Sequence, residues 1–572
     1  HLAKKNTSTY TSIQDNFNID WRIIPALRLQ GRISYTRQFD KRDLFKSPES
    51  LDYSTETDPK KKGTYFRSNS QSDKFDGNLT LQYNKVLGVH SLNVGVGSNL
   101  TESTEEGDSY TGVGFVNPDM VFIGAAISFE ENSSPNGSYD KSRLVGFFGN
   151  VNYGYDNRYF LDLSFRTDGS SKFGRNSRFA PFWSVGVAWN VHKEAFWSGD
   201  EKSSLKLRAS VGSTGTTNFS STQALTTYNY DFSKIYNGVF GVSLAGYGNP
   251  ELKWQNTISY NVGVDMTLLK GLVTFNGDFY IKNTENLLLP LTVAPSTGFS
   301  SYVENIGKLR NTGIEGRLRL NLIRDTQRDL RWNVTLSAFH NKSKITKLSN
   351  QLEEINKYAN SDWYNQGTVV YRQYEAGRSQ TALMMVRSGG IDPATGNEVY
   401  IKRNGELTFE YDANDKVKCG DMKPTIEGNV NTNLTWKGFT LYMLFKYQFG
   451  AKAYNGTLAS KVEGANPYKN ADKRVLYDRW KEPGDHAKFR RIDDRTSPYQ
   501  TTRLVFDNDL FSLSSVSLSY ELPRDISQKI YADRVRLMLS TTDVFRLSTI
   551  KQERGTSYPF ARTFNLSLNV TF

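Results

Sequence analysis

The chain has 572 residues, a formal net charge of +12 and a single cysteine, Cys419. Its mean hydropathy is negative and no run of roughly 18 apolar residues occurs, which excludes a membrane protein built from helices. The lone cysteine excludes an internal disulfide. The basic residues are scattered instead of collected on one element, so nucleic-acid binding is not expected.

The first predicted strand, residues 9–23, runs into a short turn at Pro25-Ala26. Beyond it, apolar and polar residues alternate repeatedly, as in residues 78–83, where Leu79, Leu81 and Tyr83 share one face. Successive side chains of a strand point to opposite faces, so each such segment has one apolar face and one polar face. Further segments of this kind are residues 161–165, 314–322, 430–436 and 439–447.

Two strands indicate the environment that the polar side faces. In residues 314–322 the polar side carries Glu315, Arg317 and Arg319, which suits a water-filled lumen better than a soluble core. The last ten residues alternate strictly and end on Phe572. Segments of about ten alternating residues separated by polar turns are typical of an outer-membrane β-barrel. Aromatic residues reach 13%, which suits membrane-interface belts, although an aromatic core or a carbohydrate site would raise this figure too.

Short and long connections alternate along the chain, as expected of periplasmic turns and extracellular loops. The predicted short connections are residues 25–26, 156–157, 269–271 and 437–438. The predicted long connections are residues 40–65, 105–138, 215–250, 346–424 and 455–500. Residues 168–171 (Asp-Gly-Ser-Ser) are predicted to form a tight hairpin.

This pattern gives about 17 strands, of which the first and the last run inward. Bacterial single-chain barrels have an even number of strands, so we expect strands to be missing at the N-terminus. The chain also starts at His1, without a signal-peptide pattern. We therefore expect all 572 residues to form one outer-membrane barrel domain, the C-terminal ~17 strands of a 22-stranded transporter barrel, without the plug.

Several segments follow one another in the order of a known family. They are RYFLDLSFRTDGSSKFGRNSRFAPFWSVGVAWNVHKEAF (158–196), LKLRASVGSTG (205–215), NPELKWQNT (249–257), NIGKLRNTGIEGRLRLNLI (305–323), GIDPATGNEVYI (390–401), RWKEPGDHAKFRR (479–491), FSLSSVSLSYELP (511–523) and ARTFNLSLNVTF (561–572). Together they resemble the SusC/RagA family of TonB-dependent outer-membrane transporters. The resemblance spans nearly the whole chain.

The resemblance implies an importer of oligosaccharides in the bacterial outer membrane, driven by TonB and covered by a SusD-like surface lipoprotein. An importer of peptides, as in RagA, is the alternative, and a passive pore or surface-display barrel is a third reading. The TonB complex would be reached through an N-terminal plug region, which this sequence lacks together with the TonB box and the N-terminal extension. Outer-membrane lipid and lipopolysaccharide are expected to surround the strands.

No enzymatic chemistry is predicted, and neither is a cofactor. The five histidines show no metal-ligand spacing, and P-loop and Gly-x-Ser-x-Gly patterns do not occur. Asp412, Asn414 and Asp415 faintly resemble a calcium loop, but Val417 occupies the position that needs glycine, so an ordinary polar turn is expected.

The longest predicted loop holds the candidate ligand-binding residues. Aromatic faces stack on sugar rings, and they also pack within loops or against a partner protein. Basic pairs and triplets such as Arg490-Arg491 and residues 60–62 either contact anionic lipid headgroups or are solvated loop charges. The candidate ligand-binding residues are Tyr358, Trp363, Tyr364, Tyr371 and Tyr374.

Overall fold

The computed structural model describes residues 4–130, 133, 135–216, 224–246, 248–292, 301–305, 307–348, 356, 373–466, 472–494, 496–550 and 562–572. Antiparallel strands dominate it, and 18 of them are assigned to one large sheet. One of these, Ser128–Phe129, has only two residues. The 17 longer strands agree with the predicted number.

We number the longer strands β1 to β17 in chain order. They are β1 (Lys4–Ile24), β2 (Leu27–Lys46), β3 (Thr64–Leu87), β4 (His90–Val113), β5 (Asn136–Tyr155), β6 (Tyr159–Ser170), β7 (Phe179–Asn190), β8 (Ser204–Thr216), β9 (Gln255–Leu268), β10 (Val273–Glu285), β11 (Lys308–Asp325), β12 (Leu330–Lys347), β13 (Ile426–Trp436), β14 (Phe439–Phe449), β15 (Leu510–Glu521), β16 (Arg534–Ser548) and β17 (Phe564–Thr571).

The chain forms two compact units. The first comprises His1–Val185, Gly212–Gln255 and Val293–Glu304, and the second comprises Gly186–Val211, Asn256–Thr292 and Asn305–Phe572.

In the first unit, β1 to β4 pair as consecutive antiparallel neighbours. Strands β3 and β4 have 24 residues each, whereas about 9–11 residues suffice to cross a membrane. The connections are therefore shorter than predicted: residues 47–63 instead of 40–65, and 114–135 instead of 105–138. Two strands exposed to water can pair through backbone hydrogen bonds without an apolar face. The polar ends of these strands therefore resemble loops in the sequence.

In the second unit, the register confirms the predicted alternation across neighbouring strands. Because paired residues share a face, the sheet has an apolar face and a polar face, which alternate row by row. One row of the apolar face contains Phe275, Leu318, Leu336, Val430 and Phe445. The next row, on the polar face, contains Asn276, Arg317, Ser337, Asn429 and Lys446.

The short connections confirm the turn chemistry. Asp156 and Asn157 have φ values of 52° and 51°, and Lys437 and Gly438 have 44° and 87°. This left-handed backbone at two successive residues suits tight hairpins between twisted strands. The hairpin predicted at residues 168–171 is wrong, because β6 continues to Ser170 and Gly169 pairs with Val145.

The long connections contain structure of their own. Besides Ser128–Phe129, the strands within their described residues are Thr227–Tyr236, Val239–Gly246, Leu288–Thr292, Ser301–Asn305, Ala382–Met385, Arg387–Ile391, Glu398–Ile401, Leu407–Thr408, Val417–Asp421, Lys452–Tyr454 and Val505–Asp507. The helices whose bounds lie in the described part of the chain are Arg474–Tyr477 and Arg524–Ser527, the π-helix Leu458–Glu463, and 3-10 turns at Leu51–Tyr53, Pro59–Lys61, Ile123–Ala125, Arg175–Ser177, Val191–Lys193, Leu269–Gly271, Ala413–Asp415, Thr502–Leu504 and Gln528–Ile530. In the part of the chain that the structure describes, no helix has the length and apolarity needed to cross a membrane.

Candidate functional site: the polar face and the long-connection end of the strands

The polar face carries fixed ion pairs. In the second unit, Arg208 Nε donates to Asp265 Oδ2 at 2.8 Å, and its Nη2 donates to Asp278 Oδ2 at 3.1 Å. Asn276 Nδ2 also donates to Asp265 Oδ1 at 2.8 Å. These carboxylates are held by donors, so they supply a charged, hydrated surface instead of an acid–base pair.

The first unit has a comparable polar surface. A cavity of about 650 Å³ lies on the polar side of β2 and β3, where Arg32, Lys74 and Asp76 line it. Arg166 also lines it and donates to Asp168 at 2.6 Å and to Asn99 Oδ1 at 2.8 Å. A polar solute crossing such a surface exchanges water for side-chain hydrogen bonds.

Near the long-connection end of β2 to β4, a buried aromatic cluster joins strand ends to loops. Phe45 and Phe115 make an edge contact with ring centroids 5.2 Å apart, and Tyr65 packs against Phe115. Tyr65 Oη donates to Asp43 at 2.9 Å, and Arg67 Nε donates to the same carboxylate at 2.6 Å. Burial of these rings fixes the connections at this end.

A second buried cluster joins two of the sequence motifs. Phe173, from residues 158–196, stacks on Trp254, from residues 249–257, with ring centroids 4.4 Å apart. Trp254 Nε1 donates to the Arg178 carbonyl at 3.0 Å. Gly174 lies so close to this segment that an added Cβ would sit 1.6 Å from the Pro250 carbonyl oxygen.

The third cluster is a buried ion network, which we call the loop network: Glu398, Glu463, Arg490 and Arg503. Arg503 Nη2 donates to Glu398 Oε2 at 3.0 Å and to both Glu463 oxygens at 2.7 Å. Arg490 Nε donates to Glu463 Oε1 at 2.9 Å. The two carboxylate side chains are 0–1% exposed, so the network lies inside the packed loops and links their segments to one another.

Further polar groups complete the loop network. Thr501 Oγ1 donates to Glu398 Oε1 at 2.6 Å, and Arg479 donates to the Val462 and Glu463 carbonyls. Nearby, burial raises the pKa of the Tyr400 hydroxyl. An apolar cluster packs in the same loop and contains Ala459, Val462, Val475, Phe489 and Leu504.

The structure decides several of the sequence-based readings of charged residues. Arg490 is buried and ion-paired, so it is neither a lipid contact nor a solvated charge. Its neighbour Arg491 is exposed and pairs with Asp493. Asp412 accepts from the Asn414 backbone N–H at 2.8 Å, as in an ordinary polar turn. No group of three or more possible metal ligands exists among the described residues.

Cys419 is a free, half-buried thiol, and burial raises its pKa.

Of the predicted ligand-binding residues, Tyr358, Trp363, Tyr364 and Tyr371 lie outside the residues that the structure describes. Tyr374 is half-buried. Its backbone N–H donates to Asn356 Oδ1 at 2.8 Å, and Asn356 Nδ2 donates to its carbonyl at 2.5 Å. Ligand binding by these five residues therefore stays a prediction.

Sequence reasoning missed the loop network. Its members come from the motifs at residues 390–401 and 479–491 and from two positions outside them, and Arg503 and Glu398 are 105 residues apart. The only sequence signal for this network was the presence of charged residues in the two motifs. Charge alone does not show which residues form ion pairs with each other.

The two-faced strands and the ion-paired polar face define the class of protein. Residues 3–382 match the family described as TonB dependent receptor-like, beta-barrel, so the chain belongs to this family. It is a β-barrel of the bacterial outer membrane, and the resemblance drawn from the motifs is confirmed. Its relatives are TonB-dependent transporters and not enzymes, as predicted for this chain.

Three similar proteins illustrate the relationship. TonB-dependent receptor P3 of Formosa agariphila is 28% identical over 537 residues, covering 86% of this chain and 52% of that protein. TonB-dependent receptor SusC of Bacteroides thetaiotaomicron is 24% identical over 543 residues, covering 88% and 51%. The chain thus spans about half the length of the curated relatives it matches. The RagAB peptide importer in its closed-closed state shares the fold, with a TM-score of 0.85, 21% identity, and coverage of 100% of this chain and 63% of that chain.

Proposed function

We propose that the chain is the barrel of a SusC-type importer, which takes up oligosaccharides by TonB-dependent transport together with a SusD-like lipoprotein. The observation that carries this proposal is the construction of the long-connection end. In the first unit, two packed aromatic clusters hold the connections. In the second unit, the loop network and an apolar cluster do so, and the polar face of the strands carries fixed ion pairs. Loops held on a rigid framework are where binding residues concentrate.

The choice of oligosaccharides rests on the aromatic side chains of the longest connection. Planar rings present apolar surface to sugar rings at a small cost in conformational entropy. The same rings would also anchor a lipoprotein lid. The experiment must distinguish oligosaccharide import from two alternatives. One is peptide import, and the other is a passive pore or surface-display barrel.

The experiment uses cells that lack the gene and receive the complete gene back. Uptake of fluorescent oligosaccharides and of fluorescent peptides of similar mass is measured with TonB present and with TonB deleted. We expect oligosaccharide uptake that disappears without TonB. Uptake of peptides alone would assign the peptide alternative, and uptake that persists without TonB would assign a passive pore.

Recognition is tested by changing Tyr358, Trp363, Tyr364 and Tyr371 together to alanine. Deleting residues 350–420 would be less informative, because it would also remove Glu398 from the loop network. Matched controls are Tyr477→Ala and Tyr531→Ala, two tyrosines that are 75% and 90% exposed. We expect the fourfold variant, but neither control, to lose uptake and co-purification of the lipoprotein.

If the fourfold variant retained uptake and co-purification of the lipoprotein at wild-type levels, recognition would not reside in the longest connection. Barrel assembly is checked separately, by heat-modifiable migration in detergent gels.

A further inference from the structure

The cavity on the polar side of the strands in the first unit, which we call the polar cavity, spans six strands. Its volume is about 650 Å³ and its lining comes from β1 to β6. Ile33, Leu79 and Leu100 each follow a lining residue in sequence, belong to the apolar face and are 43–50% exposed. Because the apolar face of an outer-membrane barrel is turned outward, the polar cavity faces the lumen.

Two glycines keep the polar cavity open. A Cβ added to Gly97 would sit 2.6 Å from Cζ of Phe148. A Cβ added to Gly146 would sit 2.5 Å from Nη2 of Arg166. Phe148 and Arg166 therefore lie along the wall, over bare backbone, instead of filling the cavity. The volume that stays open falls within the range of roughly 300–1,000 Å³ that is usual for small-molecule sites.

A row of polar side chains crosses the polar cavity on three neighbouring strands. Arg32 of β2 pairs with Asn78 of β3, which pairs with Asn99 of β4. Asn78 Oδ1 accepts from Thr80 Oγ1 at 3.0 Å. Asn99 Oδ1 accepts from Arg166 Nη2 at 2.8 Å. Within the described residues, neither Nδ2 group donates to an acceptor, so the row offers two amide donors to a ligand.

Arg32 is the one cation of the lining that has no carboxylate partner in the part of the chain that the structure describes. The other two, Lys74 and Arg166, are paired with carboxylates at 2.9 and 2.6 Å. The lining holds one carboxylate, Asp76, and it is the partner of Lys74. Arg32 is exposed, and its Nη2 donates to Asn16 Oδ1 at 3.1 Å. Its guanidinium is therefore available as a planar fork of donors for anionic oxygens.

We propose that the polar cavity is a subsite for the anionic group of an acidic oligosaccharide during import. Arg32 binds a uronate carboxylate or a sulfate ester, and Asn78 and Asn99 donate to neighbouring hydroxyl oxygens. Phe148, the one aromatic residue of the lining, packs against the apolar face of the sugar ring. This inference rests on the proposed function, because it names the class of oligosaccharide that the importer selects.

Charge decides which oligosaccharides the polar cavity favours. Hydrogen bonds to an ionised acceptor are roughly twice as strong as hydrogen bonds between neutral groups. An anionic sugar therefore gains more at Arg32 than a neutral sugar of the same shape. Since the subsite binds substrate, the preference appears as a lower half-saturating concentration for uptake of acidic oligosaccharides.

The experiment measures initial uptake rates in cells that lack the gene and carry the complete gene or a variant of it. Three fluorescent pools of matched length are compared: uronate-bearing oligosaccharides, the same oligosaccharides after reduction of the carboxylates to alcohols, and sulfated neutral oligosaccharides. Arg32→Gln should raise the half-saturating concentration of at least one acidic pool roughly 10-fold. The value for the reduced, neutral pool should not change. Asn78→Ala should raise the values for all three pools roughly fivefold.

The matched control is Arg22→Gln, which should leave uptake of every pool unchanged. Arg22 is exposed on β1, has the same strand parity as Gln14 of the lining, and does not line the polar cavity. A second variant, Arg32→Lys, keeps the charge but loses the fork of donors, so it should retain part of the preference for acidic pools. All the variants must keep heat-modifiable migration.

Three results would overturn the inference: unchanged acidic uptake in Arg32→Gln, equal losses of acidic and neutral uptake in that variant, or equal losses in Arg22→Gln. Equal losses of acidic and neutral uptake would mean that Arg32 pairs with another part of the complete protein. If wild-type cells took up only neutral oligosaccharides, the subsite would be wrong while the proposed function stood. Uptake of peptides alone would refute the proposed function itself.

Discussion

Replacing Glu463 by glutamine should release the loop network without disturbing the membrane strands. The Glu463 side chain is fully buried and accepts from both Arg490 and Arg503. Glu463→Gln keeps the shape of the side chain but removes its charge, which leaves two buried guanidinium groups facing Glu398 and Asp494 alone.

The structure sets the size of the effect. Removing one partner from a buried ion pair costs about 3–5 kcal/mol. The introduced amide still accepts one hydrogen bond, so we expect the lower end, about 3 kcal/mol. At about 1.4 kcal/mol per factor of ten, the open state of the loop becomes roughly 100-fold more populated.

Limited trypsin digestion of the detergent-solubilised protein measures this opening. When opening and closing are fast relative to cleavage, the cleavage rate follows the population of the open loop. The rate of cleavage within residues 452–509 should rise roughly 100-fold, while the heat-modifiable barrel band persists. The control, Asp493→Asn, breaks the exposed pair with Arg491, which is worth at most about 1 kcal/mol.

The reasoning fails if Glu463→Gln is cleaved at the wild-type rate, or if Asp493→Asn accelerates cleavage as much. Loss of the folded barrel in Glu463→Gln would also contradict it, because the loop network would then support the membrane strands.

Three further predictions concern other parts of the chain. Gly174→Ala should speed protease cleavage of residues 171–178, since its Cβ would sit 1.6 Å from the Pro250 carbonyl oxygen; Gly149→Ala, whose Cβ meets nothing closer than 3.8 Å, should not. Leu568→Arg should cost about 2–4 kcal/mol in a reversible-folding titration if this site lies near the membrane midplane, and Asn569→Arg far less, so equal losses would refute the assignment of faces in β17. Burial lowers the pKa of Lys416 from 10.5 to about 8, so between these pH values the unfolded loop binds more protons and loop stability rises with pH. Amide exchange in residues 373–425, corrected for intrinsic rates, should therefore slow from pH 8 to pH 10, and Lys416→Met should abolish this dependence.

The sequence by itself determined the class of fold. Period-two alternation and paired turn residues are local properties, so the number of strands, the two faces of the sheet and the order of short and long connections could be predicted. The confirmed rows from Phe275 to Phe445 and the tight turn at Lys437-Gly438 follow from such signals.

Only the tertiary structure decided where strands end and what holds the connections. Strand β4 continues to Val113 because its backbone pairs with β3, although both of its faces are polar there. The hairpin predicted at residues 168–171 failed because Asp168 is held by Arg166 within a strand.

The loop network likewise depends on residues that lie far apart in sequence. Arg490 and Arg503 read as ordinary loop charges until folding places them around Glu463. Charge is visible in a sequence, but its partner and its burial are set by distance in space, which local patterns do not encode.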